Sequence, residues 1–409
     1  GQVDNGGTII RTVNGVYEMQ YDGSVNVKWF GAKGDGIAND TDAIQAILNF
    51  HVGEMHIPKG TYLCNLEIKT QTSIIGETRA ATILKPFIKT LPILKISCRP
   101  TTNTFQYVFN SIKKLGFLSD NTVGGIGLSI EAEAPYVARD LDIDELFFSQ
   151  LDTGLYIKSH TSAGEVYHIT SGSLYFEKCL TYALNFDDIE QSSFESIFID
   201  LADESTLNKS VITGNNTKFG HFYTSGNVLL LVGNSIVFSL LRFENTTLER
   251  APTYLLKSNI NSLVIESINI QTCGRVDAPI PCFLELAESS AQIGSVHQFG
   301  TNYITDYFST LGLGAGYGPF IGYSDLSTTF PLTNYWNIWK GHRIDKKLKL
   351  GAFLNQGWFP RLCSGDDFSG GLEISYDTST VSEVYAGKKF FQYLTETWME
   401  YDGTAWRTV

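Results

Sequence analysis

The chain has 409 residues and a formal net charge of −13 at pH 7. This acidity argues against a nucleic-acid-binding protein, because contacts to phosphates need a basic surface that releases counterions. Charged residues make up only 18% of the chain and aromatic residues 13%, which excludes a disordered or coiled-coil chain and is typical of a β-rich protein. No apolar run approaches the roughly 18 residues of a membrane span, so we expect no membrane partner.

The first predicted element is a short strand that begins near Val25. Val25, Val27 and Trp29 alternate with polar or small residues, as in a half-buried strand, and a glycine-rich turn follows Phe30. We therefore predict that this strand ends at Phe30.

A helix is predicted next, from roughly residue 41 to residue 50. Asp42 and Gln45 have the spacing of a capping box, in which two side chains bond backbone N–H groups at the start of a helix. Ile44 and Ile47 then contribute to an apolar face. We expect this helix to close one end of a longer body.

Apolar residues two positions apart recur throughout residues 110–290. Side chains two apart lie on one face of a strand, so each pair can enter a common interior stack. The steps are nearly constant, with 23 residues from Leu174 to Ile197 and 22 from Leu241 to Leu263. We therefore predict a solenoid in which residues about 22 apart are neighbours on adjacent turns. The pairs are Leu115/Phe117, Leu141/Ile143, Leu155/Ile157, Leu174/Phe176, Ile197/Ile199, Leu241/Phe243, Leu263/Ile265 and Leu284/Leu286.

Some residues depart from this rhythm. Residues 200–235 and 296–330 break the periodicity, and we expect loops or insertions there, where solenoids often bind partners. Phe147, Phe148 and Phe238 alternate out of phase with the inward pairs. We expect these rings to be exposed, at contacts between copies of the chain.

The last part of the chain differs in composition. Five of the six tryptophans follow residue 330, where the periodic pairs stop, so we predict a separate aromatic-rich β domain over residues 331–409. The segment from Trp398 to Trp406 contains an Asp-Gly pair and is predicted to form a hairpin. The domain would serve trimerisation or carbohydrate binding, since aromatic residues are enriched in both settings.

The run VKWFGAKGDG at residues 27–36, followed by NDTDAIQAI at 39–47, resembles a known sequence pattern. It is similar to the start of the pectate-lyase-like right-handed β-helix superfamily, in the version found in bacteriophage tailspikes and capsule depolymerases. That version usually reads FGAKGDG, then DDT and AIQ; here Asn39 replaces the first Asp, a change that a turn tolerates. The segment HIPKGTY at 56–62 matches the strand entry that follows, and the specific resemblance covers about residues 24–87.

The resemblance and the repeat together predict an all-β fold, a right-handed parallel β-helix with a short N-terminal capping helix and a small aromatic-rich C-terminal β domain. The predicted divisions are an N-terminal lead-in (1–23), the strand and capping helix (24–52), the β-helix body (53–330) and the C-terminal domain (331–409).

The resemblance also implies a function. It implies a phage tailspike, located in the virion tail and acting outside the cell, that binds and cleaves a bacterial surface polysaccharide such as capsule or O-antigen. It further implies a homotrimer, and contacts with other virion tail proteins through an N-terminal region that this sequence lacks. A polysaccharide that is itself anionic would need locally clustered positive charge, because the acidic chain as a whole repels it.

Two chemistries would cut such a polymer. Hydrolysis needs two carboxylates, one protonated as an acid and one acting as a base or nucleophile. Elimination needs a uronic acid substrate, a base and a group that neutralises the substrate carboxylate. We favour hydrolysis, because carboxylates outnumber base-and-neutraliser sets on the repeats. The predicted catalytic residues are Asp187, Asp188, Glu195, Glu244 and Glu249.

Other side chains are predicted to bind substrate or to serve elimination, namely Arg242, Tyr167, His168, His221 and Tyr223. The 22-residue step would place Asp187 opposite a residue near 209, and Glu244 beside Glu266. Surface ion pairing and solvated acidic turns remain alternative explanations for these charges. No metal site and no cofactor are predicted, because cysteine spacing and fingerprint motifs are lacking. The alternatives to a hydrolase are a polysaccharide lyase and a non-catalytic receptor-binding or structural spike.

Overall fold

The structure is a computed structural model of the chain. It describes residues 4–50, 53–68, 71–98, 110–120, 123–133, 136–159, 165–200, 208–244, 252–287, 290–311, 320–324, 389–392, 397–401 and 406–408.

Strands dominate the described residues, with one α-helix and one short 3-10 helix. The helices are the 3-10 helix Val27–Phe30 and α1 (Thr41–Phe50). The strands up to the middle of the chain are β1 (Ile9–Thr12), β2 (Gly15–Glu18), β3 (Val25–Asn26), β4 (Asp35–Asn39), β5 (Gly53–Ile57), β6 (Gly60–Leu63), β7 (Leu66–Ile68), β8 (Thr72–Gly76), β9 (Thr82–Lys85), β10 (Leu94–Cys98), β11 (Ser111–Lys113), β12 (Gly116–Leu118), β13 (Ile126–Ala132), β14 (Val137–Asp144), β15 (Leu146–Ser149) and β16 (Thr153–Ser159). The remaining strands are β17 (Glu165–Glu177), β18 (Tyr182–Glu190), β19 (Ser193–Asp200), β20 (Asn208–Asn215), β21 (Thr217–Ser225), β22 (Asn227–Glu244), β23 (Tyr254–Gln271), β24 (Ile280–Ala287), β25 (Ser290–Phe299), β26 (Ile304–Leu311), β27 (Phe320–Ser324), β28 (Lys389–Gln392), β29 (Thr397–Tyr401) and β30 (Trp406–Thr408).

Strands β3 to β27 pair in parallel and wind into a β-helix, so the predicted fold is confirmed. Three faces are defined by which strands stack. Face 1 stacks β7, β10, β13, β16, β18, β20, the first parts of β22 and β23, then β24 and β26. Face 2 stacks β3, β5, β8, β11, the end of β14, the middle parts of β17, β21, β22 and β23, the first parts of β19 and β25, and β27. Face 3 stacks β4, β6, β9, β12, β15 and the last parts of β17, β19, β21, β22, β23 and β25.

The interior is a column of apolar side chains, and it includes two rings that were predicted to lie outside. Phe117, Phe148 and Phe176 stack at centroid distances of 5.0 and 4.8 Å, and Phe148 and Phe238 are fully buried. The exposure predicted for Phe148 and Phe238 is therefore wrong. The alternation of inward and outward side chains restarts at each corner of the β-helix, as at Glu145, whose backbone is left-handed with φ 51°. Counting every second residue across a corner therefore assigns side chains to the wrong side of the strand.

The predicted 22-residue step holds only locally. Leu174 pairs with Ile197 as expected, but Leu241 pairs with Ile268 on face 3. Leu263 belongs to face 2, so its spacing from Leu241 joins two different faces. The turns differ in length. The recurring apolar pairs therefore predict a solenoid but not which residues of adjacent turns lie beside each other.

Residues 200–235 were predicted to leave the solenoid, and for residues 208–235 this prediction is wrong. Strands β20 and β21 and the first part of β22 cover residues 208–235 and pair in parallel with their neighbours. Polar residues such as Asn215 sit at corners of the β-helix, where a break in apolar periodicity does not interrupt the fold.

The N-terminal cap forms as a helix at Thr41–Phe50, but its capping differs from the prediction. Gln45 reaches β7, where its side chain donates to the Glu67 carbonyl and accepts from the Glu67 N–H, at 2.9 Å each. The predicted strand is also shorter, because the Asn26 side chain accepts from the Lys28 N–H and starts the 3-10 helix. The helix is thus fastened to the end of the β-helix by Gln45 rather than by a capping box.

Near the C terminus, β28, β29 and β30 form an antiparallel sheet in which Tyr401 pairs with Trp406, as the predicted hairpin requires. The rest of residues 331–409 lies outside the described residues, and the division of the chain into domains stays a prediction. In the described part of the chain, no helix is both long and apolar enough to cross a membrane.

Candidate functional site

Three carboxylates crowd the end of β18, and we call Asp187, Asp188 and Glu190 the Asp188 corner. The pairing of β18 with β20 shifts register between Phe186 and Ile189, which marks a β-bulge. Asp188 lies in this bulge with a φ of 64°, a left-handed conformation that costs a non-glycine residue energy. Such bulges often re-aim side chains near functional sites.

Burial raises the pKa of Asp188, and the negative charges of Glu190 and Asp187 raise it further. Asn215 Nδ2 donates to Asp188 Oδ1 at 3.3 Å and to Glu190 Oε1 at 3.4 Å, which ties the two carboxyl groups together. Asp187 itself is exposed and lies beside Lys158 of the preceding turn. Asp188 therefore keeps its proton to a higher pH than an ordinary Asp does.

The neighbouring turn brings Tyr167 to the same corner. Tyr167 is paired in register with Glu190, and its hydroxyl accepts from Arg139 Nη1 at 3.1 Å. Tyr167 thus lies on the turn that adjoins the Asp188 corner, and Arg139 lies one turn further away.

His168 belongs to a column of left-handed residues beside Tyr167. His168 Nδ1 lies 3.2 Å from Asp140 Oδ1, and Nε2 lies 2.9 Å from Gln191 Oε1. All three residues have a positive φ. Four predicted site residues, Asp187, Asp188, Tyr167 and His168, are therefore brought to one corner, between face 1 and face 2.

A groove of about 680 Å³ follows the bend between face 2 and face 3. The predicted residue Glu195 lines it, together with Lys218 and Glu266. These three side chains are exposed and make no hydrogen bond or ion pair within the described segments. Their charged ends are available to a ligand.

Glycines keep this groove open. Gly220 lies level with Glu195 of the preceding turn, and a Cβ on Gly220 would sit 2.5 Å from the Glu195 carbonyl oxygen. A Cβ on Gly172 would sit 1.9 Å from Asp144 Oδ1, which is a side-chain atom. Corresponding positions on successive turns of this bend are held by Asp144, Gly172, Glu195, Gly220, Ser239, Glu266 and Gly294.

Face 3 carries a stack of rings, Tyr175, Phe198 and Tyr223, which we call the aromatic column. Tyr175 and Phe198 are 4.9 Å apart and nearly parallel, and Phe198 and Tyr223 are 6.3 Å apart. Arg79 covers the outer face of Tyr175 at 3.5 Å, and Arg242 lies 5.8 Å from the Tyr223 ring. Because Arg79 and the neighbouring rings cover ring faces, the column braces adjacent turns rather than offering a flat stacking platform.

Arg242 and Glu244 point outward together, as predicted, and form an ion pair at 2.7 Å. The expected pairing of Glu244 with Glu266 is wrong, because Glu244 faces Gln271 in the next turn. Arg242 Nη2 also donates to Gln271 Oε1 at 2.8 Å. The expected position of Asp187 opposite residue 209 is wrong as well, since the residue paired with Lys209 is Tyr182. Both errors follow from the unequal lengths of the turns.

His221 lies between the groove and the aromatic column, with its ring 5.5 Å from Phe198 in an edge-on contact. Burial and then the charge of Arg242 lower the pKa of His221. Burial, Glu244 and Asp200 raise the pKa of Tyr223. His221 is therefore a neutral imidazole and Tyr223 a protonated phenol near neutral pH.

The sequence prediction missed several members of these clusters and named one that cannot be placed. Glu249 lies outside the described residues. Glu190 belongs to the same acidic stretch as Asp187 and Asp188 but was not among the predicted catalytic residues. Asn215, Arg79 and Phe198 were not predicted as site residues, because contacts across turns leave no local pattern in the sequence. Among the described residues, no group of three or more His, Cys, Asp or Glu side chains is placed to hold a metal ion.

Comparison with known proteins gives a family and structural neighbours. The sequence profile of the family described as rhamnogalacturonase A/epimerase, pectate lyase-like, matches residues 24–275. No curated protein matches the chain in sequence. The enzymatically active domain of tailspike protein 2 from bacteriophage CBA120 is 14% identical with a TM-score of 0.46, over 78% of this chain and 50% of that chain.

Two further solved structures are similar. The A-module of an Azotobacter vinelandii mannuronan C-5 epimerase is 14% identical with a TM-score of 0.42, over 78% of this chain and 100% of that chain. A tailspike protein of Acinetobacter baumannii bacteriophage Fri1, a capsular polysaccharide depolymerase, is 10% identical with a TM-score of 0.38, over 76% and 69%. The chain spans about half the length of the first tailspike.

Proposed function

The chain belongs to the rhamnogalacturonase A/epimerase, pectate lyase-like family, and on this premise we propose that it is a phage tailspike that cleaves a bacterial surface polysaccharide. The resemblance of residues 24–87 to tailspike sequences supports the phage setting. The proposal includes a virion tail location, a homotrimer, and contacts with other tail proteins. Its substrate is a capsule or O-antigen polymer, and its reaction is glycoside hydrolysis.

The crowding of carboxylates around Asp188 carries the catalytic part of this proposal. A glycosidase needs one carboxylic acid that keeps its proton and a second carboxylate that is ionised. Asp188 fits the first role, because burial and two neighbouring charges raise its pKa. Asp187, which is exposed and beside Lys158, fits the second role, whereas the charge of Glu190 helps to raise the pKa of Asp188.

In this mechanism Asp188 donates its proton to the glycosidic oxygen as the bond from that oxygen to the anomeric carbon breaks. The second carboxylate either attacks the anomeric carbon or takes a proton from the attacking water. Tyr167 lies beside these groups and would bind sugar hydroxyls, whereas His168, whose ring nitrogens are engaged by Asp140 and Gln191, would hold the corner in place. Glu195 would bind the polymer in the groove, whereas Glu244 is held by Arg242 and is assigned a structural role.

The experiment is incubation of the protein with polysaccharides from a panel of bacterial strains, followed by sizing of the chains and by ultraviolet absorbance. Hydrolysis predicts shortened chains without new absorbance, and Asp188→Asn should remove the shortening while leaving the protein folded. Binding without shortening by the wild type would contradict the enzyme and favour a non-catalytic receptor-binding spike.

Elimination is the second candidate reaction, and the neutral imidazole of His221 favours it. A neutral imidazole can take a proton, and Arg242 and Tyr223 lie on the adjoining positions of face 3. A lyase leaves an unsaturated sugar that absorbs ultraviolet light. Shortening with new absorbance, lost in His221→Ala and kept in Asp188→Asn, would establish elimination and overturn hydrolysis.

A further inference from the structure

We propose that the groove between face 2 and face 3 binds an uncharged polysaccharide, built of neutral hexoses, deoxyhexoses or N-acetylated amino sugars, and rejects uronic acid polymers. This inference rests on the proposed function and names its substrate class. It concerns the lining of the groove, and it does not depend on which carboxylate performs catalysis.

The shape of the groove suits an extended chain that lies along the axis of the β-helix. Its lining comes from β14, β17, β19, β21, β22 and β23, which are consecutive strands of the stack. At about 4.8 Å per strand, these span about 24 Å, which is more than a single sugar requires. Gly172 and Gly220 form part of the floor, so the polymer can approach the backbone closely.

The charge of the groove disfavours an anionic ligand. Its ionisable lining is Asp142, Asp144, Glu195, Glu266 and Lys218. Asp142 is neutralised by an ion pair with Lys113 from outside the groove. The remaining lining carries three carboxylates against one lysine, so its local field is negative, like that of the whole chain. A uronate placed there would be repelled rather than neutralised.

The same carboxylates suit hydroxyl and amide donors. Asp144 is already engaged, because its Oδ1 accepts from the backbone N–H groups of Glu145 at 2.8 Å and Ser173 at 2.7 Å. Glu195 and Glu266 make no such contacts within the described segments, and both are exposed in the groove. Hydrogen bonds from sugar hydroxyls to a carboxylate are charge-assisted and therefore strong. Lys218 can donate to ring and carbonyl oxygens of the same polymer.

The test measures binding of capsule and O-antigen polysaccharides of known composition, some neutral and some containing uronic acid. The protein is the full chain, compared with the same chain carrying Glu195→Lys and Glu266→Lys, and the polymer is sized after each binding measurement so that any cleavage is detected. The first protein should bind neutral polymers. The charge-reversed protein should lose about tenfold or more of that affinity and gain uronate binding that weakens with added salt.

A matched pair of glycine variants locates the polymer in the groove. Gly220→Ala should weaken binding, because its Cβ is driven against the Glu195 carbonyl and the floor must shift. Gly116→Ala meets the same kind of obstruction, 2.5 Å from the Arg79 carbonyl oxygen, at a position outside the groove lining, and should leave binding unchanged. Equal effects of the two substitutions would overturn the assignment.

The outcomes separate this inference from the proposed function. Cleavage of a uronic acid polymer by the wild type would overturn the inference and support the enzyme. Binding of neutral polymers that depends on the groove, without cleavage by the wild type, would support the inference and overturn the enzyme. Preference of the groove for a cationic glycan, or no binding of any polymer, would overturn the inference.

Discussion

The Asp188 corner and the aromatic column are built from strands of the same β-helix, but charged groups are paired in the column and like charges are crowded together at the corner. In the column, rings stack on rings, and Arg242 is paired with both Glu244 and Gln271. At the corner, Asp188 has a left-handed backbone and a pKa raised by burial and by two like charges. The column stabilises adjacent turns, whereas the corner retains an unfavourable arrangement, as catalytic sites often do.

The largest expected effect is a loss of cleavage activity on substitution at the Asp188 corner, which substitution beside the aromatic column should not cause. Asp188→Asn removes the proton donor and should lower the rate of polysaccharide cleavage by about 100-fold or more, the usual contribution of general acid catalysis. The rate of chain shortening on the substrate identified from the strain panel measures this. Glu244→Gln, which changes an ion-paired carboxylate on the column side, is the control and should keep most of the activity.

Asp188→Asn should be at least as stable as the wild type at any pH above 3.8, the ordinary pKa of an Asp side chain. Because the folded-state pKa of Asp188 lies above its unfolded value, the folded protein binds this proton more tightly. Its contribution to stability is complete at low pH and is lost as the pH rises through the folded-state pKa. Denaturant unfolding at several pH values should show the wild type losing stability relative to Asp188→Asn as the pH rises. A strongly destabilised Asp188→Asn would mean that the corner is structural.

The next effect is on stability, at the aromatic column. Phe198→Ala removes a half-buried ring that contacts Tyr175 and Tyr223, and it should cost about 1–3 kcal/mol of unfolding free energy. Phe147→Ala is the matched control, because Phe147 is half-buried on the same face without a ring contact among the described residues. Chemical denaturation should show the larger loss for Phe198→Ala. Equal losses would show that the stack adds nothing beyond burial.

The smallest effect is on the charge state of His221. Arg242→Gln removes a positive charge that lowers the His221 pKa, so this pKa should rise while burial still keeps it below the ordinary value. NMR titration of the histidine ring signals measures the shift. Arg79→Gln, at the other end of the column over Tyr175, is the control and should leave His221 unchanged. A shift of similar size in both variants would mean that the column rearranges as a whole.

The N-terminal cap and the solenoid itself were predictable from the sequence. Helix α1 occupies the predicted span, and the recurring apolar pairs such as Leu174/Phe176 do enter the interior. These features are local or periodic, because caps, glycine turns and alternating side chains leave their own patterns in the chain.

The site could be predicted only in part, because it depends on register. Asp187 and Asp188 were predicted from an acidic stretch, but the bulge at Asp188 is visible only when β18 is paired with β20. Glu244 was placed beside Glu266 by a constant step, and the turn between β22 and β23 is longer than that step. Unequal turns therefore hide which residues meet across the β-helix, even where the fold is evident.

The most direct test of the account is the pH dependence of kcat/KM for polysaccharide cleavage in the wild type, Glu190→Gln and Glu244→Gln. A general acid must be protonated, so activity falls as the pH rises through its pKa. Removing the charge of Glu190 lowers the pKa of Asp188, so the alkaline limb should move to lower pH in Glu190→Gln and stay in place in Glu244→Gln. An alkaline limb that Glu190→Gln leaves unchanged, or that Glu244→Gln moves, would contradict the assignment of the acid to the Asp188 corner.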